Sequence, residues 1–228
     1  MLLLTAEQKA QYEANGWVVV REVFSEQEIA ALRAAADDVL GSCGPLIQGN
    51  PRVQIEPETI GWREPVVRKI EPVIDASPAL AALVHEPRMR AAAADALGEE
   101  AILYEDKLNY KPPRVGSSYP LHQDRSYWMQ LAPGVPSTDR LVTVTVMLDD
   151  ATVENGCLRL VRCGLHHFLR TVARWPMHSS ALVPHGTATA MHPLSPATRL
   201  QLHVLVVPNE QEQMAYMPHS LHRWHPAR

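Results

Sequence analysis

A chain of 228 residues with a formal charge of −4, 46% hydrophobic and 20% charged residues, has the make-up of one fair-sized globular domain or two small ones. It lacks the basic excess of a nucleic-acid binder and has no apolar run near the ~20 residues that a membrane span requires. Its three cysteines, Cys43, Cys157 and Cys163, include no CxxC pair, which argues against a disulfide framework or zinc ribbon and for a reduced, soluble, cytoplasmic protein.

In chain order, Leu2-Leu3-Leu4 is too short for a signal-peptide core and runs into a polar segment. Thr5 is placed to cap a helix through about Ala14, which Gly16 then stops. Trp17 to Val20 is short and β-branched, a strand. Ser25 and Glu28 form the two ends of a capping box, and Ile29, Leu32, Ala36 and Leu40 recur at helical spacing up to Gly41. Residues 42 to 76 are rich in proline and glycine and read as loops with one or two strands. Pro78 to Leu97 is alanine-rich and helical, broken at Pro87 and closed by Gly98.

After Gly98 the period changes. Ala101 to Tyr104 and Lys107 to Tyr110 read as strand, ended by Pro112-Pro113. Leu141 to Leu148 is the clearest strand in the chain. Asn155-Gly156 marks a turn, after which Cys157 to Val161 resumes as strand. Helices first and short strands afterwards predict an α+β chain with a sandwich or barrel-like β core. No internal repeat interrupts this order.

The chemistry concentrates in Tyr119-Pro120-Leu121-His122-Gln123-Asp124. In a strand, residues i and i+2 point to one face, so His122 and Asp124 project together. With a second imidazole from elsewhere they make the facial triad of non-haem Fe(II) oxygenases, which leaves coordination positions open for a cosubstrate and O₂. A histidine near an aspartate also recurs by chance, and a plain surface pair is the alternative.

The neighbouring motifs weigh on that choice. Glu105 to Pro113, then Tyr119 to Asp124, then Leu148 to Val161 resemble the phytanoyl-CoA dioxygenase family, as does the opening Gly16 to Ser25; the resemblance covers roughly residues 5 to 161. It implies a double-stranded β-helix, or jelly roll, flanked by N-terminal helices, in a single domain over residues 1–228. It also implies an Fe(II)- and 2-oxoglutarate-dependent dioxygenase that hydroxylates a small organic substrate and releases succinate and CO₂. On that resemblance His122 and Asp124 are the adjacent metal ligands and the catalytic pair. Lys107, Asn109 and Trp128 fall where the family contacts its cosubstrate. An exposed polar pair on an edge strand is the alternative for the first two, and a packing aromatic for the third. Thr143 and Thr145 share one face of their strand and either line the cavity or are ordinary strand residues. An acidic residue at position 124 speaks against the halogenating relatives.

Beyond Val161 the pattern departs. Residues 163–228 contain no Lys or Asp, and nine of the eleven histidines lie between His166 and His225. Ala215-Tyr216-Met217-Pro218-His219 is the nearest match to the context of the third ligand, with His203, His222 and His225 as rivals. The arginine that anchors 2-oxoglutarate in the family has only Arg223 and Arg228 as substitutes. Seven prolines and the lack of alternation, except from Leu200 to Val207, predict an atypical tail with too few strands to complete the barrel, as in a truncated or frame-shifted product. The competing readings are therefore a working dioxygenase, a non-catalytic jelly-roll remnant, and a histidine-rich metal-binding tail. The substrate and the oligomeric state are not legible.

Overall fold

The computed structural model describes residues 3–42, 50–117, 142–152, 157–164, 167–172, 179–184, 189–191 and 199–208. Helix α1 (Ala6–Asn15) begins where the Thr5 side chain accepts the Gln8 N–H and the Gln8 side chain accepts the Thr5 N–H, and it ends at Gly16 in the left-handed region (φ 77°). Strand β1 (Val18–Arg21) follows. Helix α2 (Glu26–Ser42) opens on the Ser25/Glu28 box, with Glu28 N–H donating to Ser25 Oγ and Glu28 Oε2 accepting the Ser25 N–H. The helix runs through Gly41 rather than stopping there, and it buries Ile29, Leu32, Ala35, Ala36 and Val39 along one stripe.

Residues 50 to 76 hold β2 (Val53–Ile55), a 3₁₀ turn (Pro57–Thr59) and β3 (Val67–Ile70). Two proline-initiated helices, α3 (Pro78–Val84) and α4 (Pro87–Leu97), are capped by Ser77 and Glu86, and α4 closes on Gly98. The expected break at Pro87 is thus a boundary between two helices. Arg88 ties this helical layer together. It donates to Val23 O, Glu28 and Glu86, and its guanidinium stands 4.5 Å from the centre of the Phe24 ring.

The two expected strand pieces after Gly98 form one continuous strand, β4 (Ala101–Lys111). Then come β5 (Val142–Met147), β6 (Leu158–Gly164), β7 (His167–Val172), β8 (Ser179–Pro184), β9 (Thr189–Met191) and β10 (Arg199–Pro208). Seven strands build the larger sheet in the order β1-β8-β5-β10-β4-β3-β2, with every neighbouring pair antiparallel. The smaller sheet is β7-β6-β9.

The described part of the tail contributes strands to both sheets. Strands β7 to β10 all lie beyond residue 164; β8 and β10 are interior strands of the larger sheet, and β10 separates β4 from β5. A weak alternation along the chain did not prevent pairing, because long-range ladder partners, not local pattern, set the place of a short strand.

One face of the larger sheet packs on the helices. Val18, Leu108, Tyr110, Val142, Val144 and Val146 join Ile29, Ala36, Leu80, Met89 and Ala93 in a single core. Each fully buried aliphatic side chain there contributes roughly 1.5–3 kcal/mol. The other face looks toward the smaller sheet: Met147 packs with Leu158 and Leu160 of β6 and with Val19 of β1. Among the described residues no helix is long and apolar enough to cross a membrane.

Candidate active site

The site is built on the alternation of β4. From Asp106 onward, past a register shift against β10, its even-numbered residues turn toward the helices. Tyr110 OH donates to Ala36 O in α2 (2.8 Å), and Asp106 Oδ2 accepts the N–H groups of Val73 (2.6 Å) and Ile74 (3.0 Å). Burial pushes the Asp106 carboxyl above the usual range, and the charges of Asp75 and Glu71 add to that, outweighing its two backbone donors. The odd-numbered residues Glu105, Lys107, Asn109 and Lys111 turn the opposite way.

Register carries this second face across the sheet. Lys107 stands opposite His203 of β10, which stands opposite Thr145 of β5. Glu105, Leu205 and Thr143 form the next row, and Asn109 lies opposite Lys69 on β3 and Gln201 on β10. Thr143 and Thr145 are on the same side of β5 as Met147, so they face the space between the two sheets. Both threonines are fully buried.

Here two lysines and two glutamates meet. Lys107 Nζ donates to Glu105 Oε1 at 2.5 Å, and Lys69 Nζ to Glu71 Oε2. Glu105 is pushed up to about 7, chiefly by burial, with the charge of Glu71 and a hydrogen bond shared with it adding to the effect, against the pull of Lys107. Burial also works to raise Glu71, but the charges of Lys107 and Lys69 and the hydrogen bonds from Glu105 and Lys69 hold its carboxyl below the usual range. Of the two carboxyls, Glu105 is therefore the one that keeps its proton to higher pH. Glu105 Oε2 is buried and finds no donor among the described residues, as expected of an oxygen that itself carries, or shares with Glu71, that proton. When Glu105 is protonated the cluster presents two lysines against one carboxylate, a state that favours an incoming carboxylate more than the fully ionised one does.

Of the residues singled out from the sequence, Lys107 and Asn109 are described, and both lie on this interior face. The alternative reading of them as an exposed pair on an edge strand is overturned: β4 is flanked by β10 and β3, and Asn109 is buried. Thr143 and Thr145 share the face. His122, Asp124, Trp128 and His219 lie outside the described residues, as do His222, His225, Arg223 and Arg228. Among the described residues no group of three or more histidine, cysteine or acidic side chains is gathered in a way that would hold a metal ion. Sequence reasoning missed Glu105, Lys69 and Glu71. Glu105 was within reach, since it lies two residues before Lys107 on the same strand; the two β3-side residues became visible only with the β3–β4 pairing.

Comparison with known proteins was made against this geometry. The family model described as Phytanoyl-CoA dioxygenase (PhyH) matches residues 12–166. The ectoine dioxygenase of Bordetella bronchiseptica is 32% identical over 173 residues, 76% of this chain and 53% of that protein. The L-proline trans-4-hydroxylase of Streptomyces griseoviridis is 27% identical over 158 residues, 69% of this chain and 54% of that protein. The chain thus spans about half the length of these curated relatives. Among solved structures, EctD from S. alaskensis with 2-oxoglutarate and 5-hydroxyectoine superposes with a TM-score of 0.78 at 22% identity, covering 91% of this chain and 77% of that one. The same protein with bound Fe superposes equally well.

Proposed function

We propose that this chain, which belongs to the phytanoyl-CoA dioxygenase family, is an Fe(II)- and 2-oxoglutarate-dependent dioxygenase that hydroxylates a small polar organic molecule. The observation that carries the reading is the buried polar face of the larger sheet. In a fold shared with a protein crystallised with Fe and with 2-oxoglutarate, that face brings together Lys107, Asn109, Glu105, Thr143 and Thr145.

The donor set fits the groups the family implies. A lysine cation, an amide and a carboxyl whose affinity for a proton is raised by burial suit a dicarboxylate cosubstrate, and Glu105 Oε2 is a buried oxygen that lacks a partner unless a proton is present. His122 and Asp124, with His219 as third ligand, make a two-histidine, one-carboxylate set whose softness suits ferrous iron. Bound iron would activate O₂, with 2-oxoglutarate supplying two electrons as it is converted to succinate and CO₂. The chain's own part is positioning. Lys107 and Asn109 orient the cosubstrate, the family resemblance assigns Trp128 a role beside it, and the aliphatic wall of Met147, Leu158 and Leu160 keeps water from the space between the sheets. The relatives named for ectoine and proline support a small, polar substrate.

The test is anaerobic addition of Fe(II) and 2-oxoglutarate to the full chain, followed by aerobic turnover. A weak visible charge-transfer band and the release of succinate are expected. If iron-loaded protein gives neither, the reading is wrong and the remnant account stands.

A further inference from the structure

We propose that Glu56 and Lys111 are positioning residues that fix the chain's entry into the metal-binding segment by clamping Ser117, five residues before His122; this rests on the reading of His122 and Asp124 as iron ligands. Glu56 follows β2 and is 1% exposed; its Oε2 accepts from both the Ser117 N–H (3.1 Å) and Ser117 Oγ (2.6 Å). Arg68 on β3 donates to Ser117 Oγ at 2.5 Å and lies 3.8 Å from Glu56 Oε2. From the other side, Lys111 at the end of β4 is buried and donates to Ser117 O (2.8 Å) and Gly116 O (3.3 Å). The N–H, carbonyl and hydroxyl of one residue are thus all engaged by ionised side chains.

The turn leading to that residue is equally specified. Val115 N–H donates to Pro113 O and Gly116 N–H to Pro112 O, and Arg114 sits at φ 69° in the left-handed region. A Cβ on Gly116 would lie 2.7 Å from Pro112 O and 2.9 Å from Lys111 Cγ, so only glycine fits. Neutral side chains would close such a turn without the cost of burying charge. What charged partners add is stronger and shorter bonds, hence a fixed position. Only five positions separate Ser117 from His122, so the clamp fixes the start of the segment that carries both proposed ligands. A metal-ligand constellation tolerates errors of only about 0.5 Å.

The experiment measures Fe(II) affinity by anaerobic titration, and thermal stability, on the full chain. The variants are Glu56→Gln, Lys111→Met and the conservative Lys111→Arg, with Tyr110→Phe as a stability control away from the clamp. The expected result is a roughly tenfold or greater loss of Fe(II) affinity in E56Q and K111M, the size seen when groups that orient metal ligands are removed. K111R should recover most of it, and Y110F should leave it unchanged at a similar loss of stability. Should K111M fail to fold, E56Q and K111R carry the comparison. Full iron affinity in folded E56Q and K111M, with tight binding by the wild type that His122→Ala abolishes, would sink the clamp and leave the iron reading standing. No Fe(II) binding by the wild type would overturn both.

Discussion

Replacing Glu105 by glutamine keeps the shape of the side chain and removes its ionisation, so the effect on stability depends on pH. In the folded protein the carboxyl titrates at about 7 instead of 4.5. Below the ordinary carboxylate range it is uncharged in both the folded and unfolded states and costs nothing. As pH rises from about 4.5 toward 7 the unfolded chain releases the proton while the folded chain retains it, and stability is lost across that window. The difference between the two values corresponds to at most about 3 kcal/mol. A glutamine at this position has no such penalty, and its amide still donates to Glu71, so the contribution of that group is preserved. Lys69, Lys107 and the register position of His203 are common to both proteins and largely cancel from the difference. Urea unfolding at pH 5 and pH 8 should show E105Q gaining on the wild type by up to about 3 kcal/mol at the higher pH. Parallel stability curves across this interval would refute the argument that burial, reinforced by Glu71, holds a proton on Glu105.

Asp106→Ala should cost about 2–4 kcal/mol, since it strands the N–H groups of Val73 and Ile74. Asp106→Asn keeps an acceptor and should cost far less, and because burial raises the aspartate, the asparagine variant should compare better as pH rises above the carboxylate range; urea melts decide both. Tyr110→Phe removes the bond to Ala36 O and should lower stability by about 1 kcal/mol, read from the same melts. His122→Ala and Asp124→Ala should each abolish the anaerobic charge-transfer band and the production of succinate while leaving the melting temperature close to that of the wild type. Retention of the band in either variant would remove that residue from the ligand set.

What the sequence disclosed followed the range of the interactions involved. Thr5, Gly16, Ser25 with Glu28, and Gly98 act within four residues of themselves, and the helix boundaries they imply were found in place apart from the extension of α2 through Gly41. The two strand pieces within β4 and the β-branched run of β5 were readable for the same reason, although the joining of those pieces into one strand was not. The candidate site was half legible. Lys107 and Asn109 were named from a resemblance, yet the reason they are buried is that β10 and β3 flank their strand, which no local pattern records. The Ser117 clamp was invisible, because Glu56 and Arg68 reach it across 61 and 49 positions. Strand β8 was missed on similar grounds: Ser179 to Pro184 carries little periodicity and takes its place from pairing with β1 and β5.

The slot that β10 occupies also sets a timetable for synthesis. Its partners on β4 precede it by 88 to 107 positions, from Lys111 opposite Arg199 to Ala101 opposite Pro208, and β5 is likewise complete some fifty residues earlier. Neither strand can take its central neighbour until the ribosome has passed residue 208. At translation rates of about 5–20 residues per second, β5 waits roughly 3–12 seconds and β4 roughly 5–20 seconds with open hydrogen-bonding edges. During that interval any extended segment, including β10 of a neighbouring nascent chain, competes for the same slot. Yield should therefore depend on how crowded the nascent chains are and on chaperone supply more than on the equilibrium stability of the finished sheet.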